Sequence, residues 1–128
     1  IVCLNSAIEV DLLGAVNAEA VADGEGRWRH VGGVGGLPDF VRGALAARNG
    51  RSVIALPSRT PHGRPRIVAR LAGPCTVPAC DADVVVTEHG VAHLRDATLA
   101  ERVQRMIAVA HEADRDALRA EARALGLV

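Results

Sequence analysis

Residues 83–88, Asp-Val-Val-Val-Thr-Glu, predict the central strand of this protein. Three consecutive valines form an apolar run of the kind that parallel sheets bury on both faces. Two further stretches predict neighbouring strands: residues 52–56, which Pro57 ends, and residues 67–71. Glu88 directly follows the central strand, so we expect it at the carboxyl edge of the sheet, where ligand sites of open α/β sheets gather.

Three helices are predicted around these strands. Residues 39–48 present one apolar face, and Asn49-Gly50 predicts a left-handed cap that closes this helix. Thr98 and Glu101 have the spacing of a capping box at the start of a second helix. Residues 114–125 predict the third. Strands that alternate with helices favour an α/β fold with a mixed, largely parallel sheet flanked by helices.

A β-hairpin is predicted near the N-terminus. Residues 8–12 alternate apolar and acidic side chains with the period of two that is typical of a half-buried strand. Gly14 then allows a turn, and Val16 begins a returning strand. With 128 residues, the chain is long enough for one modest core but not for two ordinary domains. We therefore expect a single unit over residues 1–128.

Composition excludes several classes of partner. Fifteen basic and fifteen acidic residues cancel, so we expect no nucleic-acid binding, which needs a basic excess. No apolar run approaches the roughly 20 residues of a membrane helix. Three cysteines are an odd number and form no disulfide framework, which favours a reducing, cytoplasmic location. The chain opens at Ile1 without an initiator methionine, so we expect a piece of a longer protein.

The loop at 32–36, Gly-Gly-Val-Gly-Gly, is the most informative local feature. It lies just before a predicted helix, where unpaired backbone N–H groups and the positive end of the helix dipole favour an anion. Pro38 occupies the place of the third glycine in a dinucleotide fingerprint, and no Lys-Ser/Thr follows as in a Walker loop. A tight connection without any ligand explains the glycines equally well.

Polar residues near the strand ends admit both functional and structural interpretations. From the residues alone, a solvated loop carboxylate at Glu88 is favoured over a catalytic one. Arg59, Arg64, Arg66 and Arg70 surround a proline-rich loop that we expect to be exposed, and they suit either a phosphate or a solvated face.

Two histidines and a cysteine are the candidate metal ligands of this sequence. His89 and His93 are four residues apart, and Cys80 lies nine residues before His89. No fourth ligand stands at a spacing that zinc sites use, so we expect no metal site.

Six stretches of the sequence match motifs of one known protein family: 5–12, 33–36, 39–44, 54–58, 66–68 and 84–88. Shorter matches continue to residues 110–111. In their order and near-family spacing, they resemble the C-terminal domain of the acetyl-CoA hydrolase/transferase family, which includes 4-hydroxybutyrate and succinate–acetate CoA-transferases. The resemblance covers nearly all of the chain. It implies that residues 1–128 form part of such a domain, with a CoA-transferase-like fold and the catalytic region upstream missing.

The resemblance also implies an activity. Enzymes of this family move CoA between a thioester and a carboxylate, or release it to water. Acyl-CoA and a small carboxylate would be the partners, no cofactor would be bound permanently, and the full-length protein would be a homo-oligomer. The family's nucleophilic glutamate lies upstream of the matching segment, so we expect residues 1–128 to be inactive alone. The alternative is a non-catalytic α/β module that binds CoA or another anionic ligand, or serves in dimerisation.

Individual roles carry over from the motifs. Gly36 resembles the glycine whose amide helps to form the family's oxyanion hole, and Glu88 resembles its second active-site glutamate. Gly35 and Asn5 are expected to contact substrate or CoA.

A lysine that frequently binds the CoA phosphates in the family is replaced by Pro61. Arg59 or Arg64 is therefore expected to take over its contact with the phosphates.

Overall fold

The computed structural model describes residues 1–32 and 35–128. Strands and helices follow one another as β1 (Val2–Asn5), β2 (Glu9–Asp11), β3 (Val16–Asn17), β4 (Ala20–Ala22), β5 (Trp28–His30), α1 (Leu37–Ala46), β6 (Arg51–Ala55), β7 (Ile67–Val68), β8 (Val84–Thr87), β9 (Gly90–His93), α2 (Leu99–Val109) and α3 (Arg115–Ala124). This alternation confirms the predicted α/β class.

The main sheet has four strands in the order β1-β6-β8-β9. Strands β1, β6 and β8 run parallel, and β9 returns antiparallel to β8. The predicted central strand is confirmed as β8, which pairs on both sides. The sheet is therefore mixed and largely parallel, as the sequence predicts.

The predicted N-terminal hairpin is also confirmed. Strands β2 and β3 pair antiparallel with Val10 opposite Val16, and Gly14 in the turn has a φ of 99°. Asp11 is buried rather than solvated, because its Oδ1 accepts hydrogen bonds from the amides of Leu13 and Ala15, each at 3.0 Å. Strand β7 adds to the other side of β2 and completes a second sheet of three strands.

The three helices form close to their predicted positions. Helix α1 begins at Leu37, two residues before the predicted start, because the fixed φ of Pro38 fits the first helical turn. Asn49 has the predicted left-handed conformation, with a φ of 56°, but it does not cap the helix. Helix α1 already ends at Ala46 with the extended Ala47 as its C-cap, so Asn49 lies in the turn that follows. The capping box of α2 is confirmed: Thr98 Oγ1 accepts from the Glu101 amide at 3.2 Å, and Glu101 Oε2 accepts from the Thr98 amide at 2.8 Å.

The structure departs from the sequence predictions at a few places. The strand expected over residues 67–71 ends at Val68, where its pairing with β2 ends. The proline-rich loop is exposed at Pro57 and over residues 61–65, as expected, whereas its Ser58 is only 2% exposed. Strand β9 and the β4–β5 hairpin were not predicted, because four and three residues are too short for a periodic signal.

All three helices and the three-stranded sheet share one core with the main sheet. Val41 of α1 and Val16 of β3 line the same small cavity as Ile54 and Val85, which places them on one face of the main sheet. Helix α2 covers the same face further along, where Thr87 Oγ1 donates to the Val109 carbonyl at 2.6 Å. Within residues 1–32 and 35–128, no helix has both the length and the apolar character to cross a membrane.

Candidate functional site

The parallel strands bring three separated stretches to one edge of the main sheet. Asn5 ends β1, Ser58 follows β6 by three residues, and Glu88 directly follows β8. Because β1, β6 and β8 run in the same direction, their carboxyl ends lie side by side, about 4.8 Å from strand to strand. The predicted position of Glu88 at the carboxyl edge is confirmed.

Helix α1 carries the paired glycines to the same edge. The helix packs against β1 and β6 and enters β6 through a four-residue turn, so it runs back along the sheet. Its N-terminus, preceded by Gly35 and Gly36, therefore lies where the strands end. Gly33 and Val34 of the predicted loop fall outside the described residues.

The backbone at Gly36 is open to a ligand. Gly36 is exposed, and its carbonyl accepts from the Phe40 amide at 3.0 Å as the helix begins. Its own amide donates to no acceptor within residues 1–32 and 35–128. An unpaired N–H at the positive end of a helix dipole is suited to an anion or to an oxygen that gains negative charge.

Glu88 is held in place by Ser58. The Ser58 amide donates to Glu88 Oε1 at 2.8 Å and to Oε2 at 3.3 Å, while the Glu88 side chain remains 52% exposed. Hydrogen bonds from the hydroxyl and then the amide of Ser58 hold the pKa of Glu88 below its usual value. Glu88 is therefore a fixed, ionised carboxylate near neutral pH.

Two histidines adjoin this carboxylate. His89 Nε2 lies 3.7 Å from Glu88 Oε1, and the His89 and His111 rings meet edge to face with centroids 5.5 Å apart. The Thr87 hydroxyl accepts from the His89 amide at 3.0 Å, which fixes the turn between β8 and β9. The sequence alone does not indicate this contact, because 22 positions separate the two histidines.

The arginines of the proline-rich loop differ in their contacts. Arg59 forms two hydrogen bonds with Asp114, from Nε at 2.9 Å and from a terminal nitrogen at 2.5 Å. The bond to Arg59 lowers the pKa of Asp114, and the same bond raises that of Arg59. Arg64 is exposed, and its side chain forms no ion pair within the described part of the chain.

The predicted positive cluster is not one site. Arg64 and Arg66 line a cleft of about 200 Å³ together with Thr60 and Trp28, whereas Arg70 lines a separate cleft beside Leu127. A further cleft of about 400 Å³ between α2 and α3 contains none of the predicted site residues. Asn5, Gly35, Gly36 and Glu88 line none of these three clefts, whereas Arg64 lines the first.

Metal ligands are not gathered at this edge. Among residues 1–32 and 35–128, no group of three or more His, Cys, Asp or Glu side chains could hold a metal ion.

Ser58 is the site residue that sequence reasoning missed. Its position in the sequence could have indicated it, because Ser58, like Glu88, follows a parallel strand within a few residues. The contact between the two residues joins positions 30 apart in sequence, which no local pattern reports.

Known proteins are similar to this chain along nearly its whole length. The 4-hydroxybutyrate coenzyme A transferase of Clostridium kluyveri is 37% identical over 120 residues, which are 91% of this chain and 27% of that protein. The acetyl-CoA hydrolase of Yarrowia lipolytica is 33% identical over 127 residues, covering 92% of this chain and 22% of the hydrolase. The crystal structure of RipA from Yersinia pestis superposes with a TM-score of 0.88 and 38% identity, over 99% of this chain and 28% of RipA.

The chain thus spans about a quarter of the length of the relatives that it matches. The family profile described as the acetyl-CoA hydrolase/transferase C-terminal domain matches residues 1–122. The predicted resemblance is confirmed by profile, sequence and fold together. The chain belongs to the acetyl-CoA hydrolase/transferase family, whose C-terminal domain it matches.

Proposed function

We propose that residues 1–128 supply an oxyanion-binding amide and a second active-site carboxylate to an acyl-CoA:carboxylate CoA-transferase or acetyl-CoA hydrolase. The nucleophilic glutamate of that enzyme lies in a part of the family-length chain outside these residues. One observation carries the proposal: Asn5, the Gly35-Gly36 pair and Glu88 come from three separate stretches and reach one edge of the sheet.

The Gly36 amide acts on the first chemical step. The nucleophilic carboxylate attacks the thioester carbonyl carbon, and negative charge develops on the carbonyl oxygen. The carbon–sulfur bond then breaks, CoA leaves as the thiolate, and an acyl anhydride remains on the enzyme. The Gly36 amide donates to the oxygen while it is charged, and the dipole of α1 adds to this stabilisation.

Glu88 acts as a positioning carboxylate and not as the nucleophile. Its ionised form, held by Ser58, accepts hydrogen bonds from donor groups of the substrate beside the reacting carbonyl. Asn5 lies on the same edge and offers an amide N–H to the carboxylate of the acceptor.

The phosphates of CoA are assigned to Arg64. Its guanidinium is exposed, whereas the guanidinium of Arg59 already forms two hydrogen bonds with Asp114. Arg64 would thus fill the role that the family frequently gives to lysine at the position of Pro61. Gly35 adds a backbone contact to the bound thioester.

A chimera tests the proposal. In the C. kluyveri transferase, the segment that matches this chain is replaced by residues 1–128, and CoA transfer from acetyl-CoA to 4-hydroxybutyrate is measured. We expect the chimera to transfer CoA and residues 1–128 alone to be inactive. Turnover by residues 1–128 alone would show that the nucleophile lies within them, and omitting the acceptor measures hydrolysis separately.

Two variants of the chimera test the residue roles. Gly36→Val places a branched side chain over the amide, and we expect kcat to fall by about 10²-fold, as when an oxyanion donor is lost. Glu88→Ala is expected to lower kcat and to raise KM for the acceptor. Gly43→Ala is the matched control on the same helix, because a Cβ there meets nothing within 4 Å. Unchanged turnover in both variants, with CoA still bound in calorimetry, would favour the non-catalytic module instead.

A further inference from the structure

The cleft of about 400 Å³ between α2 and α3 contains none of the site residues named above. Pockets that hold small molecules in proteins begin at about 300 Å³. Val103 and Ile107 of α2 are almost fully buried and form the floor of this cleft, whereas Ala108 and Val128 beside them are exposed. From Val103 to Ala108, the helix rises about 7.5 Å. The cleft therefore offers a short aliphatic surface to a ligand.

The other side of the cleft is positively charged. Arg115, Arg119 and Arg123 of α3 line it. Because they are four residues apart, they lie on one face of the helix, about 6 Å from one to the next. None of the described residues that line the cleft is acidic or aromatic. The cleft thus combines a cationic side with an aliphatic one.

Arg115 fixes the shape of the cleft. Its Nε donates to the Ala110 carbonyl and its Nη2 to the Ala108 carbonyl, each at 3.1 Å. The last carbonyls of a helix lack partners within the helix, so these bonds fasten the start of α3 to the end of α2. Most of the hydrogen-bonding capacity for a ligand is therefore left to the other two arginines.

Arg119 and Arg123 are available to a ligand. Arg119 forms an ion pair at 2.9 Å with Asp116, whose side chain is fully exposed, and exposed pairs contribute little stability. Arg123 is exposed and forms no ion pair within residues 1–32 and 35–128. Each guanidinium presents a planar fork that matches the two oxygens of a carboxylate. Two such groups one helical turn apart can share a single carboxylate.

The residues that line the cleft favour one chemical class of ligand. An anion satisfies the guanidinium groups, and an alkyl chain covers the aliphatic floor. Nucleotides and other ligands with aromatic rings fit less well, because no aromatic side chain among the described lining residues offers a stacking surface.

We propose that the cleft between α2 and α3 binds an alkyl carboxylate of medium chain length. The carboxylate lies between Arg119 and Arg123, and the alkyl chain lies along Ile107 and Ala108. The cleft shares no residue with the carboxyl edge of the main sheet, so this inference does not rest on the proposed function.

Calorimetric titration of residues 1–128 with octanoate tests the proposal. We expect one saturable site. Acetate, which has the charge without the chain, should bind at least about tenfold more weakly. Octan-1-ol, which has the chain without the charge, should also bind at least about tenfold more weakly. Equal affinity for either of these two compounds, or no saturable binding of octanoate, would overturn the proposal.

Arginine variants test the cationic side of the cleft. Arg119→Gln and Arg123→Gln are each expected to weaken octanoate binding by about tenfold or more, because a charged hydrogen bond is lost. Arg48→Gln is the matched control with the same change of charge, since Arg48 is exposed and lies outside the cleft. An affinity that is unchanged when both Arg119 and Arg123 are replaced would refute the assigned site.

Methyl NMR of isoleucine-labelled protein locates the ligand. Octanoate should shift the methyl resonance of Ile107 and leave that of Ile8 unchanged, because Ile8 lines the separate cleft beside Arg64. Ala108→Glu supplies a competing carboxylate at an exposed helical position, and we expect it to abolish the shift at Ile107. A shift at Ile8 alone would place the ligand in the other cleft and reject the proposal.

The C. kluyveri chimera extends the test to a family-length chain. Octanoate should shift Ile107 there too, and Arg123→Gln should weaken that binding as it does in residues 1–128. A chimera whose Ile107 does not respond would show that the remainder of the chain covers the cleft, and it would reject this inference alone if CoA is still transferred. A chimera that binds octanoate at Ile107 but transfers no CoA would reject the proposed function alone.

Discussion

At the scale of single residues, buried charge in this chain is neutralised by partners from distant stretches. The Asp83 side chain, 1% exposed, accepts from Arg51 at 3.0 Å, from Arg95 at 2.8 Å and from the Ser52 amide at 2.9 Å. A buried carboxylate is costly unless its oxygens are satisfied in this way. Asp83 thereby fixes the amino end of the sheet, opposite to the edge that carries the candidate site.

The pKa of Glu88, at the carboxyl edge, depends on its hydrogen bonds with Ser58. In Ser58→Ala the hydroxyl is removed and the amide donor remains, so we expect the pKa of Glu88 to rise toward its usual value. A pH titration of the Glu88 carboxyl carbon by NMR measures this change. Ser6→Ala, at an exposed position, is the control and should leave the titration unchanged. A Glu88 titration that is identical in Ser58→Ala would refute the role of the hydroxyl.

At the scale of elements, tight turns and loop anchors determine how the layers meet. The turn of the β2–β3 hairpin passes so close to Ala82 and Leu94 that a Cβ on Gly14 would lie 2.7 and 2.9 Å from their side chains. Arg102 fastens the same turn from α2, donating to the Leu13 carbonyl at 2.9 Å and to the Ala79 carbonyl at 2.6 Å. The hairpin is thereby locked to the main sheet.

Gly14→Ala is expected to destabilise the protein by more than about 2 kcal/mol, because the φ of 99° and the close backbone approach both exclude a side chain. Urea unfolding followed by circular dichroism measures the loss. Gly24→Ala, where a Cβ meets nothing within 4 Å, should change stability by no more than about 0.5 kcal/mol. Similar stabilities for the two variants would contradict the close packing at Gly14.

The Arg59–Asp114 pair anchors the proline-rich loop beside α3, and it predicts a pH dependence. Because the pKa of Asp114 is lowered in the folded protein, its contribution is complete above the ordinary value of about 3.9 and is lost as pH falls through the lowered value. Asp114→Asn should therefore be less stable than the natural sequence at pH 7, and the difference should shrink below about pH 4. Urea titrations at several pH values measure the difference. A difference that stays constant down to pH 2 would contradict this linkage.

At the scale of the whole molecule, one core joins every layer. A single cluster of buried residues runs from the β2–β3 hairpin through the main sheet to α2 and α3, and it includes Val10, Val85, Met106 and Leu118. No stretch of the described chain has a core of its own.

A single core predicts that residues 1–128 unfold in one cooperative transition without a partner. Calorimetry should give equal calorimetric and van't Hoff enthalpies, and circular dichroism should report the same midpoint as the fluorescence of Trp28. Two separated transitions would show that the hairpin layer and the main sheet unfold independently.

Sequence patterns alone were sufficient for the α/β class, the central strand at 84–87, the N-terminal hairpin and the capping box of α2. These features depend on neighbouring residues: an apolar run, a period of two, a glycine turn, or a threonine three positions before a glutamate. Family resemblance added Gly36, Glu88 and Asn5 as candidates, which the patterns could not separate from ordinary loop residues.

Tertiary structure alone decided which candidates meet. Ser58 reaches Glu88 across 30 positions, and Arg59 reaches Asp114 across 55, so hydrogen bonding across the fold assigns one arginine to an anchor and leaves Arg64 exposed. Local periodicity records which side chains are apolar, whereas only the packing of distant segments determines which of them are covered.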